Sequence, residues 1–143
     1  MTATTQRLVQ AAIDAAQTAY APYSNFHVGA ALLLDDGQFV TGSNFENASY
    51  GMTLCAETVA ISKANSAGQL RAIREIAVAG GLSGHVGKAA DPITPCGRCR
   101  QIIKEVADLT DTDIPVHCAH ATGYQTYRLS ELLPHGFGPA SLK

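Results

Sequence analysis

Cys96 and Cys99 stand three positions apart, where side chains on one helical turn share a face and can grip one ion. Alone, a C-x-x-C is ambiguous between a metal site and a redox pair. A thioredoxin-like pair, however, follows the first strand of a βαβ unit, whereas this one lies late in the chain after a glycine-rich stretch. Cys55 occupies the matching place at the start of an earlier helical segment, in Cys55-Ala56-Glu57. Two helix N-termini can therefore face each other with three thiols between them. The partial positive charge at those ends favours the thiolates that zinc requires. Three protein ligands with the fourth position open is the pattern of a catalytic zinc, and a structural site closes with four. The expectation is one Zn²⁺ per chain, held by Cys55, Cys96 and Cys99.

A fourth protein ligand would turn that site into a scaffold. Cys118 is the rival, but it lies in the apolar run from Ile114 to Ala119, where a buried cysteine acts as a small hydrophobe. His117 and His120 flank it, yet a strand points alternate residues to opposite faces, so the three cannot converge. His27, His85 and His135 have no partner at ligand spacing, and all five histidines are read as non-ligands. Glu57 lies roughly 200° round the helix from Cys55, beside rather than on the line to the metal. A carboxylate flanking an activated water is placed as a general base. The plainer alternative is a first-turn glutamate complementing the helix dipole.

The elements that must position these groups follow from periodicity. Leu8, Val9, Ala12, Ile13, Ala16 and Tyr20 mark a helix over 7–20, stopped by Pro22. Strands over 28–34 and 38–42 flank Asp35-Asp36-Gly37, whose Asp-Gly signals a hairpin. Asn44 to Thr53 reads as a loop, with Thr53 as N-cap of a helix over 54–67 ended by Gly68. A strand over 72–79 precedes a glycine-rich loop over 80–87, where Gly87-Lys88 lacks the Ser or Thr of a phosphate loop. Thr94 and Pro95 read as N-cap and first residue of a third helix, with Ile102, Ile103, Val106 and Leu109 inward. Strands over 114–119 and 125–129 and a short turn from Ser130 complete the chain. No repeat or linker divides it, so residues 1–143 are expected to form one α/β domain, a mixed sheet covered by helices.

The cysteine and glutamate pattern, with Pro95-Cys96-Gly97-Arg98-Cys99-Arg100-Gln101, resembles the zinc nucleoside deaminases in their three-cysteine form. Ala21 to Phe26, Val28 to Leu32, Asn44 to Tyr50 and Glu131 to Pro134 extend the match to the small homotetrameric cytidine deaminases. The resemblance implies a three-layer fold with a five-stranded mixed sheet between helices, and hydrolysis of cytidine and deoxycytidine to uridine, deoxyuridine and ammonia in pyrimidine salvage. It implies Glu57 as proton shuttle, Asn44 and Glu46 on the ribose, and Phe26 packed on the base. Ala56 joins the substrate contacts, Tyr50 lies at a subunit contact, and Phe137 crosses into a neighbour's site. Thr58 stands where the family usually has Arg, and Arg98 where it has a small residue, so Arg98 or Arg100 is expected to supply the missing cation near the thiolates. The cysteine run also resembles blasticidin S deaminase, which leaves a modified cytosine nucleoside as the alternative substrate. A non-catalytic zinc module is the alternative from another class.

Composition bounds the partners. The formal charge is −2, with ten Lys and Arg against twelve Asp and Glu and no basic stripe, so no polynucleotide partner is expected. No run of about 18 apolar residues exists, which argues against a membrane span. The start of the chain lacks a signal-peptide pattern. A cytoplasmic protein with free thiols is the expectation.

Overall fold

The computed structural model describes residues 2–143. Five strands form one sheet in the order β2-β1-β3-β4-β5. β1 (Phe26–Leu34) pairs antiparallel with β2 (Phe39–Ser43) through the expected hairpin, and on its other side antiparallel with β3 (Ile73–Leu82). β3 pairs parallel with β4 (Pro115–His120), and β4 antiparallel with β5 (Gly123–Arg128). The sheet is mixed because β3 and β4, joined by a long helical crossover of the kind that parallel neighbours require, run parallel while the other pairs are antiparallel. α1 (Ala3–Ala15) covers one face through Leu8, Val9 and Ala12 against Ala31, Ala77 and Ala79. α2 (Ala56–Ser66) and α3 (Gly97–Thr110) cover the other, with α4 (Leu129–Leu132) beside them. The three layers agree with the expected architecture.

Several boundaries differ from the sequence expectation, each for a physical reason. α1 begins earlier than residue 7 because the Thr2 hydroxyl accepts the Thr5 N–H at 3.1 Å. It ends at Ala15, followed by a tight turn over Ala16–Thr18, and Tyr20 is not on its buried face. Instead the Tyr20 backbone bridges the next segment, its N–H donating to Asn44 O at 3.0 Å and its carbonyl accepting from Glu46 N at 2.9 Å. β3 continues through Gly80 and Gly81 to Leu82, residues expected in a loop, because Phe26, His27 and Val28 of β1 pair with them. Thr53 and Thr94 cap no helix. α2 and α3 start after Cys55 and Cys96, which occupy the N-cap positions themselves.

α2 sits unusually close to the sheet. Ala56, Ala60 and Ala64 recur every fourth residue, are fully buried, and present no bulk. A Cβ added at Gly42 of β2 would lie 2.6 Å from Ala60 N and 2.7 Å from Ala56 O. Gly29 of β1 is equally indispensable on the opposite face, where the Ala12 carbonyl of α1 occupies the space of a side chain. Gly42→Ala is therefore expected to cost about 1–3 kcal/mol, from overpacking that only backbone movement relieves. Urea unfolding should show the lowered midpoint. Because the displaced backbone carries Cys55 and Glu57, zinc retention should fall in the same variant.

Candidate active site

The start of α2 and the start of α3 meet beside the sheet. Cys55 and Cys96 are the two N-cap residues, and neither side chain caps its helix, which leaves both sulfurs free to point outward. Cys99 follows in the first turn of α3 and is fully buried. The three Sγ atoms lie within 4.8 Å of one another, and Cys55 Sγ is 3.8 Å from Cys96 Sγ. Bonds of about 2.3 Å in a tetrahedral zinc site put two sulfurs about 3.8 Å apart. Among the described residues no other group of three or more His, Cys, Asp or Glu side chains is compact enough to hold a metal.

The electrostatics of the thiols fit a cation. A hydrogen bond from Cys99, then one from Cys96 and the charge of Arg98, holds the Cys55 thiol down to about 6. Cys99 is pushed up, first by that hydrogen bond to Cys55 and then by burial. The Cys55 thiolate is thus favoured at the expense of Cys99. A divalent ion compensates all three. Cys118 lies outside the cluster, buried in the core between β4 and the helices, and burial pushes its thiol up to about 12. None of the five histidines joins the metal group. His117 is held between strands, its Nδ1 2.8 Å from Thr126 Oγ1 and its Nε2 2.7 Å from Glu75 Oε1.

Glu57, only 3% exposed, sits in the first turn of α2. Burial, followed by the charge of Cys55, raises its carboxyl to about 7 against the opposing pull of its own backbone N–H. Protonated and ionised forms are thus both accessible near neutrality, as a residue that must take and return a proton requires. A first-turn glutamate serving only the helix dipole would sit in solvent with an ordinary carboxyl.

A cavity of about 200 Å³ opens onto these groups, lined by Phe26, Asn44, Ala56 and Glu57 together with Cys55 and Cys96. A second, of about 390 Å³, is lined by Tyr23, Ser24, Glu46, Tyr50 and Thr53, and Thr53 lines both. A larger hollow of about 770 Å³ lies toward the other end of α3, around Asp108 and Asp113, and touches neither the thiols nor Glu57. Asn44 Oδ1 accepts Val28 N at 2.9 Å and its Nδ2 donates to Phe26 O at 2.9 Å, which fixes the amide while leaving one N–H and one lone pair. Glu46 Oε1 accepts Tyr23 N at 3.0 Å and Ser24 N at 3.2 Å, and the Ser24 hydroxyl donates to Oε2. These donors, the Ser24 hydroxyl foremost, hold the Glu46 carboxyl below its usual range. Tyr50 is 74% exposed, its ring 5.8 Å from that of Tyr23. Phe137 is 61% exposed and lines neither cavity.

Tyr23 and Ser24, which orient Glu46, received no role from the sequence, nor did Ile93 and Val78 in the cavity wall. The partner of the Ser24 hydroxyl lies 22 residues away, beyond what any local pattern can signal. The two candidate cations separate clearly. Arg98 is exposed and its charge acts on Cys55. Arg100 spends its donors on Pro95 O, Thr94 Oγ1 and Leu132 O. The Thr58 hydroxyl lies 3.7 Å from Cys99 Sγ, within reach of the sulfur.

Residues 2–112 match the family described as the cytidine and deoxycytidylate deaminase zinc-binding region. The cytidine deaminase of Halalkalibacterium halodurans is 45% identical over 133 residues, covering 92% of each chain. That of Mycobacterium tuberculosis is 44% identical over 129 residues, covering 89% of this chain and 84% of the relative. The crystal structure of cytidine deaminase from Burkholderia pseudomallei superposes with a TM-score of 0.80 at 39% identity, over 96% of this chain and 100% of that one. The thiol cluster, the buried glutamate and the order of the strands thus have a common explanation: this chain belongs to the zinc-binding cytidine and deoxycytidylate deaminase family.

Proposed function

We propose that the chain, acting as one domain, hydrolyses cytidine and deoxycytidine to uridine, deoxyuridine and ammonia. The observation that carries this reading is the buried Glu57 carboxyl beside three convergent thiols, bordering a cavity that no Lys or Arg lines. Held by Cys55, Cys96 and Cys99, zinc supplies the Lewis acidity that makes water nucleophilic at neutral pH. Glu57 takes a proton from the water whose oxygen joins C4 of the base and passes it to N3. It then moves the remaining proton of that added oxygen to the exocyclic nitrogen, so that the C4–N bond breaks, the C4 carbonyl forms and ammonia leaves. Phe26 packs on the base, and Asn44 and Glu46 bind the sugar hydroxyls through the lone pairs and the N–H left over from their own backbone contacts. Ala56 closes the cavity wall.

The family takes both nucleosides and nucleotides, and the charges of this site favour the nucleoside. Neither cavity is lined by Lys or Arg, and the second contains the Glu46 carboxylate, which repels a phosphate. A non-catalytic zinc module would need a fourth protein ligand, and Cys118 lies outside the cluster. With purified protein, loss of cytidine and deoxycytidine absorbance is expected, with dCMP and cytosine inert. Faster turnover of blasticidin S than of cytidine would replace this reading with the modified-nucleoside one.

The working form is read as a homotetramer in the cytoplasm, where reducing conditions keep the three thiols free. Tyr50, Met52 and Phe137 support a shared site, because large apolar groups stand exposed around the second cavity and near the chain end. No helix among the described residues is long and apolar enough to cross a membrane. Truncation before Phe137 should raise KM for cytidine without removing zinc, and light scattering on the intact protein should report four chains. A fully active monomer at assay concentration would refute the shared site.

A further inference from the structure

Cys96 is the ligand least supported by regular structure. It is exposed, follows the irregular segment 91–95, and as N-cap makes no side-chain bond to its helix. The usual device for fixing the entry to a helix, a capping hydroxyl or carboxylate, is therefore missing where a metal ligand must be held. Arg100, one turn into α3 and half-buried, reaches back over this entry. Its Nε donates to Pro95 O at 2.8 Å and its Nη2 to Thr94 Oγ1 at 3.0 Å, the two residues immediately before Cys96. Its Nη1 donates to Leu132 O at 2.8 Å, at the end of α4. No carboxylate pairs with Arg100 among the described residues. A guanidinium drawn from water toward three neutral oxygens is not there for an ion pair. What those contacts use is its rigid planar fork, which fixes several acceptors at once.

We infer that Arg100 is a positioning residue for the metal site: its guanidinium clamps Thr94 and Pro95 to α4 and thereby sets Cys96 against Cys55 and Cys99. The clamp substitutes for the absent cap and makes the pocket wall at Thr94 part of the same rigid unit. It also joins the metal loop to the C-terminal segment, since the neighbouring Gln101 Nε2 holds Phe137 O at 2.7 Å. The inference rests on the assignment of Cys96 as a zinc ligand.

The test is zinc release from the holoenzyme into a chelating dye, alongside the thiolate-to-metal absorption bands of the cobalt(II)-loaded protein. Arg100→Met keeps the stem and removes the fork. Zinc release is expected to be about 10–100-fold faster, the range for losing a partner that orients a metal ligand, with shifted cobalt bands. Arg100→Lys should recover part of the loss, and Thr94→Val, which deletes a single acceptor, should move both readouts the same way by roughly a few-fold. If Arg100→Met does not fold, the lysine and valine variants decide. A role confined to stability would lower the melting temperature and leave release and cobalt bands unchanged in the folded variants, and that result overturns the clamp. Cys96→Ser separates the two levels of the argument. Should it release zinc at the wild-type rate, the ligand assignment fails and the inference with it. If Cys96→Ser loses zinc while the Arg100 and Thr94 variants match wild type, only the clamp is wrong.

Discussion

Glu57→Gln should yield a folded, zinc-loaded protein whose turnover of cytidine has fallen by a factor of at least about 10² to 10⁴, the usual worth of one positioned proton-transfer group. The upper end is expected because the same carboxyl serves both the proton taken from water and the proton given to the leaving nitrogen. Glutamine keeps the shape and volume of a side chain that is 3% exposed, so the cavity should not collapse. It also removes a group whose ionised form burial already disfavours, so no loss of stability is anticipated. The cysteines are untouched, and metal analysis should match wild type. Near-normal turnover in the zinc-loaded variant would sink the proton-shuttle assignment.

Loss of one thiol should have an effect of comparable size by a different route. Cys99→Ser replaces a fully buried sulfur in the first turn of α3 with a hydroxyl that does not ionise to a comparable ligand. Zinc affinity should fall by more than the roughly 10–100-fold that removal of an outer partner costs, and activity should fall with metal content. Cys118→Ser provides the contrast. That side chain belongs to the core around Val116 and Ile103, so zinc content should stay at the wild-type level even if stability declines. Metal analysis on the two variants in parallel decides the ligand set. A Cys118→Ser protein without zinc, beside a Cys99→Ser protein that keeps it, would reverse the assignment.

Much of the site was legible because its chemistry is written in residue types at helix starts. Cys55 with Glu57, and Cys96 with Cys99, lie within one helical turn of each other. Local spacing therefore placed each pair, and the repetition of the pattern implied that the pairs meet. Asn44 and Glu46 were legible only through resemblance, since nothing in a polar loop distinguishes a sugar contact from a solvated side chain. The reason for their rigidity lay elsewhere in the chain, in the backbone of Phe26 and Val28 and in Tyr23 and Ser24.

The caps show where local reading stops. Thr53 and Thr94 have the chemistry of N-caps and stand just ahead of the helical patterns. In the fold, Thr53 Oγ1 accepts Asn47 N at 3.2 Å and Thr94 Oγ1 accepts from Arg100, and each helix begins with a cysteine instead. Those shifts turn two sulfurs toward a common point.

By itself the sequence determined the elements, from hydrophobic period and the Asp36-Gly37 turn, and the kind of metal, from the number of thiols and their place beside a carboxylate. Only the tertiary structure decided that α1 ends well before Tyr20, how far β3 runs past Ala79, and which arginine's charge acts on Cys55. It also decided that the Arg100 guanidinium reaches the Leu132 carbonyl, 32 positions along the chain. The physical reason is competition for hydrogen bonds. Propensity and spacing describe the partners a residue can find within a turn or two, but a donor in a folded chain goes to the best acceptor that packing brings within 3 Å, however distant in sequence.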